Sequence, residues 1–315
     1  MRFLLLFLMA SPAWAQVTVQ EYPVPKGHGI HDVWADAAPN GPVWFSAQGS
    51  GHLGILEPKS GKVEFVSLGR GSSPHGVVAA EDGAPWLTDG GQNAIVRVDP
   101  KTRAVKLWKL PEDSGYTNLN TAIFDRHGVH WFTGQSGIYG RLDPKSGEIK
   151  LFDAPKGRGP YGIHATPDGT VYYASLAGSY IGRVDAASGA TTVIEPPTRR
   201  QGARRVWSDS RGNVWVAEWN SGNLSRYEPA SGKWSTWRAP GDEPRVYAVY
   251  VDPADKVWVS EWTAQAMLRF DPQTEKFETF RSSSRTANVR QIHGRRGEVW
   301  TPESAADKLV VYRYK

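Results

Sequence analysis

The chain has 315 residues, 40% of them hydrophobic, and a formal net charge of +5. That length suits one domain only if the domain is built from repeats, and the composition, with 33 glycines and 22 prolines, is that of a folded all-β protein. No cysteine is present, which excludes a disulfide framework, cysteine-ligated metal and covalently attached c-type haem. The basic residues fall in short pairs such as Arg199-Arg200, with no continuous stripe for nucleic acid.

The chain opens with Arg2, an apolar run from Phe3 to Ala10, and Ala13-Trp14-Ala15. Small residues at −3 and −1 of a cleavage point identify residues 1–15 as a signal peptide and Gln16 as the mature start. The run is too short to span a bilayer as a helix. The expected location is therefore periplasmic or secreted, with no membrane span after cleavage.

From residue 16 to 315 the pattern is one domain. Val17 to Tyr22 alternates apolar and polar residues, as a half-buried strand does, but no partner precedes it. A unit then repeats along the chain: a polar turn, an apolar-aromatic pair, and a small or acidic residue three positions later. Its anchors are Trp44, Trp86, Trp131, Tyr172, Trp215, Trp258 and Trp300, spaced by subtraction 41 to 45 residues apart. Each unit reads as four strands. The first begins near His75, Asn120, Tyr161, Arg204, Tyr247 or Arg290. The second carries the anchor, and the third ends in a run such as Arg97-Val98-Asp99-Pro100. A turn such as Lys145-Ser146-Gly147 leads to the fourth. The last unit has strands near Arg290 to His293, Glu298 to Thr301 and Leu309 to Tyr312, and lacks a fourth. The spare N-terminal strand completes it. The predicted fold is an all-β, seven-bladed β-propeller of four-stranded antiparallel blades, closed by both termini, with the anchors packed between blades.

In such blades the start of strand one and the end of strand two lie at one face. The strand-one set is His31, His75, Asn120, Tyr161, Arg204, Tyr247 and Arg290. The strand-two set is Ala47, Asp89, Gly134, Ser175, Glu218, Glu261 and Glu303. His31 and His75, with Asp89 nearby, are candidates for proton transfer, because neutral histidine suits a base near neutral pH. Asp89, Asn120, Tyr161, Arg204, Tyr247 and Arg290 are candidate ligand-binding residues. Three carboxylates near one axis would repel. Either a hard cation such as Mg²⁺ or Ca²⁺ sits among Glu218, Glu261 and Glu303, or Arg204 and Arg290 neutralise them.

Several segments carry a resemblance. Gly27-His28-Gly29-Ile30-His31, Ser73-Pro74-His75-Gly76-Val77 and Gly159-Pro160-Tyr161-Gly162-Ile163 each stand ahead of an anchor strand, and Val214 to Arg226 follows the same scheme. These resemble the repeat of the streptogramin B (virginiamycin B) lyases, over essentially all of residues 17–315. The resemblance implies a monomeric propeller with a ligand site at one channel mouth. It also implies Mg²⁺-dependent opening of a cyclic depsipeptide at its ester by elimination. The family's histidine opening blade six falls on Tyr247, its Glu-Pro-His run opening blade seven on Asn288 to Arg290, and its blade-seven glutamate within one residue of Glu303. Glu303 is then the retained catalytic position, and the His31–His75 pair would be a site of the same type rotated to blades one and two.

Two other functions stand beside this one. One is a metal-dependent lactonase of the gluconolactonase type, a related six-bladed architecture that seven anchors argue against, although Glu218, Glu261 and Glu303 could supply the metal. The other is a non-catalytic periplasmic binding propeller that grips a small molecule or peptide at the mouth. No Gly-Xaa-Ser-Xaa-Gly elbow, Walker loop or His-Glu-Xaa-Xaa-His run is present, and no βαβ pattern for flavin or nicotinamide.

Overall fold

A computed structural model describes residues 16–315. The expected signal segment, residues 1–15, lies outside the described residues. The architecture is seven four-stranded antiparallel sheets, each in simple up-and-down order from the innermost strand outward. Blade one consists of Ile30–Ala35, Val43–Ala47, His52–Glu57 and Lys62–Ser67. Blade seven is assembled from His293–Arg295, Glu298–Glu303 and Lys308–Arg313, with Thr18–Pro23 as its outer strand. Thr18 to Pro23 pair in register with Arg313 to Lys308, so the two ends of the chain close the ring. The innermost strand of blade seven starts later than the sequence suggests. Only Val289 bridges Glu303 ahead of it, because the segment from Val289 to Gln291 curves out of the ladder. Among the described residues no helix is long and apolar enough to cross a membrane.

The core lies between the blades. Trp44 packs with Val77 and Leu87 of blade two, Trp215 meets Phe270 of blade six, and Trp300 joins Val33 and Phe45 of blade one. Three anchors are latched by an aspartate six residues earlier. Asp125, Asp209 and Asp252 accept the indole N–H of Trp131, Trp215 and Trp258 at 2.8, 3.1 and 2.9 Å. The same aspartates hold the intervening turn through the backbone N–H of Val129, Asn213 and Lys256. Blade two makes the same turn with Ala80 in the aspartate's place, and the buried indole nitrogen of Trp86 has no hydrogen-bond partner among the described residues. An unsatisfied buried donor destabilises by roughly 1–3 kcal/mol. Ala80→Asp is therefore expected to stabilise the fold by about 1 kcal/mol in urea denaturation. No gain would show that the groove beside Trp86 cannot admit a carboxylate.

Candidate active site at one mouth of the channel

Six of the seven innermost strands begin with a β-bulge. Register against strand two slips between Ile30 and Val33, Pro74 and Val77, and Leu119 and Ala122. It slips again between Pro160 and Ile163, Ala203 and Arg205, and Val246 and Val249. A bulge sets two residues against one and re-aims their side chains. These bulges contain His31, His75, Asn120, Tyr161, Arg204 and Tyr247, so the residues expected from strand one do gather around the axis. Arg290 follows the Val289 bridge of blade seven.

Hydroxyls two residues after the anchors lock four bulges to their neighbours. Ser46 Oγ accepts the N–H of Asp32 at 2.9 Å and donates to the carbonyl of His75 at 2.5 Å. Thr88 joins the Gly76 N–H to the Asn120 carbonyl, and Thr133 joins the Thr121 N–H to the Tyr161 carbonyl. Ser260 joins the Ala248 N–H to the Val289 carbonyl. The backbone amides displaced by the bulges are thus satisfied, and the site residues stand on a rigid ring.

Because the bulges re-aim consecutive residues, the channel also receives side chains that simple alternation places elsewhere. Asp32 and Arg205 form its hub. The guanidinium of Arg205 donates to both oxygens of Asp32 at 2.9 and 3.1 Å and to Thr121 Oγ1 at 2.8 Å, crossing from blade five to blades one and three. His31 donates from Nδ1 to Asp32 at 2.8 Å, leaving the lone pair of Nε2 with no donor among the described residues. Thr121 donates to Asn120 Oδ1 at 2.7 Å, which turns the Asn120 amide nitrogen to His75 Nε2 at 3.1 Å. The His75 proton then lies on Nδ1, a buried atom without a partner among the described residues. The two imidazoles lie 3.9 Å apart between centroids. Burial above all, and then the guanidinium of Arg290, followed by those of Arg205 and Arg204, hold His31 well below the usual histidine range. Burial and the neighbouring His31 do the same for His75. Both rings are neutral near pH 7.

Tyr161 and Tyr247 share a hydroxyl contact of 2.6 Å, and Arg204 donates to the Tyr161 oxygen at 3.1 Å. Burial and the adjacent Tyr247 push Tyr161 up to about 12. Burial works the same way on Tyr247, but the cations of Arg204 and Arg205 outweigh it and lower that phenol. Either hydroxyl can donate in that contact, and the Tyr247 proton is the more acidic one. The Arg204 guanidinium lies 3.6 Å from the Tyr247 ring centroid and 4.5 Å from that of Trp219. Trp262 stacks on Tyr247 at 5.1 Å with Arg290 over its outer face at 5.2 Å. Trp219 and Trp262 are not among the site residues expected from sequence, although the repeated dipeptides Glu218-Trp219 and Glu261-Trp262 mark them.

The strand-two carboxylates do not form the expected ring. Asp89, Glu218, Glu261 and Glu303 pair with Pro74, Ala203, Val246 and Val289, each just before the channel-facing residue, so they share the other face of the pleat. Asp89 accepts the N–H groups of Ser73, Gly91 and Gln92 in its own hairpin. Glu218 accepts from Ser221, Asn223 and Ser225, and Glu261 accepts the N–H groups of Arg245, Thr263 and Ala264. Glu303 meets Ser282 at 2.6 Å and Lys308 at 3.3 Å. The neutralisation by Arg204 and Arg290 expected from sequence is replaced by arginine–aromatic stacking. Ala47, Gly134 and Ser175 occupy the corresponding positions of the other blades.

Among the described residues, the one group of three metal-ligating side chains with donor atoms within 4.8 Å is His31, Asp32 and His75. It does not fit Mg²⁺. That ion demands oxygen ligands, whereas two donors here are nitrogens and the carboxylate is already held by Arg205.

Beside the hub the channel narrows to a cavity of about 20 Å³, and His164, Trp207, Tyr250 and His293 line a pocket of about 350 Å³ beyond it. There Trp34 stacks on His293 at 3.6 Å and Trp207 on His164 at 4.0 Å. Burial pushes His293, His164 and the core residue His130 down to about 3. Each is neutral when folded but binds a proton on unfolding below about pH 6.5, so stability is present above that pH and is lost as pH falls toward 3. His130 and His293, both buried, are expected to remove together roughly 3 kcal/mol between about pH 7.5 and 5.5, read from urea midpoints at each pH. A midpoint that stays constant over that range would contradict it.

The fold and site define a class: a closed seven-bladed propeller whose chemistry-bearing side chains meet at one channel mouth. Within that class the chain belongs to the virginiamycin B lyase family, whose model matches residues 13–238. The match stops at the end of blade five, so Tyr247, Arg290 and Glu303 lie beyond it. A selenomethionine-substituted virginiamycin B lyase from Staphylococcus aureus superposes with a TM-score of 0.86 at 19% identity, over 95% of this chain and 100% of that one. A streptogramin B lyase gives 0.87 at 20% identity, over 97% and 100%. A chain of a mitotic checkpoint complex gives 0.76 at 12% identity, over 100% and 99%, so the architecture alone does not fix a reaction. A gluconolactonase from Zymomonas mobilis is 29% identical over 144 residues, and the match spans 38% of each chain.

Proposed function

We propose that the protein is a carbon–oxygen lyase that opens a cyclic depsipeptide or related ester ring by elimination, with His31 as the base. The observation that carries this reading is the Arg205–Asp32–His31 relay. Asp32 fixes the proton on His31 Nδ1, so the neutral ring presents Nε2 toward a proton beside a carbonyl. His31 Nε2 takes the α-proton, its electron pair forms the Cα–Cβ double bond, and the Cβ–O bond breaks to release a carboxylate. The proton on His31 then returns to solvent. Arg204 and the Tyr247 hydroxyl, at the same mouth, would stabilise the negative charge that develops on the carbonyl and leaving oxygens. His75 holds His31 in place from the neighbouring blade, its own Nε2 being occupied by Asn120. Glu303 keeps a structural part at the blade-seven hairpin. A structure of a catalytically inactive S. aureus virginiamycin B lyase with quinupristin supports this substrate class, as does the family match.

The gluconolactonase similarity favours a second reading, hydrolysis of a lactone at the same mouth. Mass spectrometry of a streptogramin B depsipeptide incubated with the residue 16–315 protein separates the two. A linear product of unchanged mass is expected, while gain of one water would identify a hydrolase. An intact ring would remove both readings for this substrate. We assign no step to Mg²⁺, and parallel tubes with Mg²⁺ and with chelator decide whether it takes part. Periplasmic or secreted location belongs to the same proposal and is checked by cleavage after Ala15 in the exported protein.

A further inference from the structure

Three arginines at the site mouth have no carboxylate partner among the described residues. Arg204 lies between Tyr161, Tyr247 and Trp219, and its Nε is buried and unbonded. Arg245 stands 5.3 Å from the Trp219 ring and Arg290 5.2 Å from that of Trp262. The acids that sequence places beside them, Glu218, Glu261 and Glu303, are turned away and consumed by hydrogen bonds in their own loops. Asp32 is already neutralised by Arg205. The mouth is therefore a cationic rim around two tryptophans. Guanidinium stacked on an aromatic face leaves in-plane N–H groups for a carboxylate; Arg204 spends one of its own on Tyr161 and keeps the others for a ligand.

We infer that the physiological ligand of this mouth carries a carboxylate beside an apolar or aromatic group, the carboxylate being read by Arg204 and Arg290 and the apolar group by Trp219 and Trp262. This rests on the mouth being the binding site and narrows the proposed substrate from neutral cyclic esters to acidic ones. In an elimination, the same arginines would neutralise a carboxylate on the carbon that loses its proton, easing the charge that builds there.

The test needs no turnover, so it stands apart from the fate of the lyase reading. Two probes of equal shape, N-acetyl-phenylalanine and its neutral amide, are titrated against the residue 16–315 protein in a calorimeter. The acid is expected to bind roughly tenfold tighter than the amide, a preference that shrinks as salt rises. Arg204→Gln and, separately, the half-buried Arg290→Gln should each reduce the preference, and the double variant should abolish it. Melting temperatures and far-UV spectra confirm that each variant is folded. Equal binding of acid and amide overturns the inference. So does a preference that survives in the folded double variant, or no saturable binding of either probe.

Discussion

His31→Gln is expected to lower kcat/KM for ring opening by about 10²- to 10⁴-fold, the range general-base catalysis contributes, with little change in stability. Arg205 still donates to both oxygens of Asp32, so that buried pair stays satisfied while the imidazole lone pair at Nε2 is gone. The pH profile carries a second signature. His31 is held well below the usual histidine range, first by burial and then by Arg290, Arg205 and Arg204. The wild-type rate should therefore not fall as pH is lowered from about 7.5 to 6, where an ordinary histidine base would begin to protonate. A depressed basicity makes a weaker base, and the guanidiniums that depress it also stabilise the enolate-like charge in the transition state. Asp32→Asn should cost a similar factor by freeing the His31 tautomer. Unchanged kcat/KM in His31→Gln would move the base elsewhere, with Tyr247, the more acidic phenol of its pair, as the next residue to test.

The fold was legible because a single signal, the aromatic anchor every 41 to 45 residues, repeats seven times and leaves one strand spare. The placement of Thr18–Pro23 beside Lys308–Arg313 follows from counting strands, since no other blade lacks a partner. The candidate site was half legible. His31, His75, Asn120, Tyr161, Arg204 and Tyr247 come from a constant offset before the anchor. Asp32 and Arg205 were missed because strict alternation sends the next residue to the opposite face, and only a bulge brings it back. The glutamates were misplaced for the same reason, since the bulge decides which of two adjacent residues faces the axis. A trace of the bulge is nonetheless present in sequence. Gly76 and Gly162 follow His75 and Tyr161, and a Cβ there would come within 2.7 Å of the Asn120 carbonyl or 2.6 Å of Arg205 Cα. Small residues directly after a strand-one polar residue mark where the next blade presses against the channel lining.

Arg205→Met should be the most damaging single change at the site. The side chains of Arg205 and Asp32 are 5% and 2% exposed, and their contact spans two blades that are not adjacent in the ring. Removing one partner of a buried pair leaves the other charge uncompensated, at a cost of about 3–5 kcal/mol. Methionine keeps much of the volume, so the loss measured in urea would be electrostatic and not a cavity effect. Arg205→Met combined with Asp32→Asn should recover a large part of that cost, because a neutral amide in the same place needs no cation; the difference is the coupling energy of a double-mutant cycle. The single variant also alters the chemistry. With Arg205 gone, one of the cations that depress His31 disappears while its carboxylate neighbour remains, so the His31 pKa should rise. Ring opening by Arg205→Met should then gain an acid limb absent from the wild type, and activity lost near neutral pH should return in part as pH is raised. If Arg205→Met were as stable as wild type and its rate showed no new pH dependence, the relay across the channel would be incidental, and His31 would owe its orientation to the backbone of blade one alone.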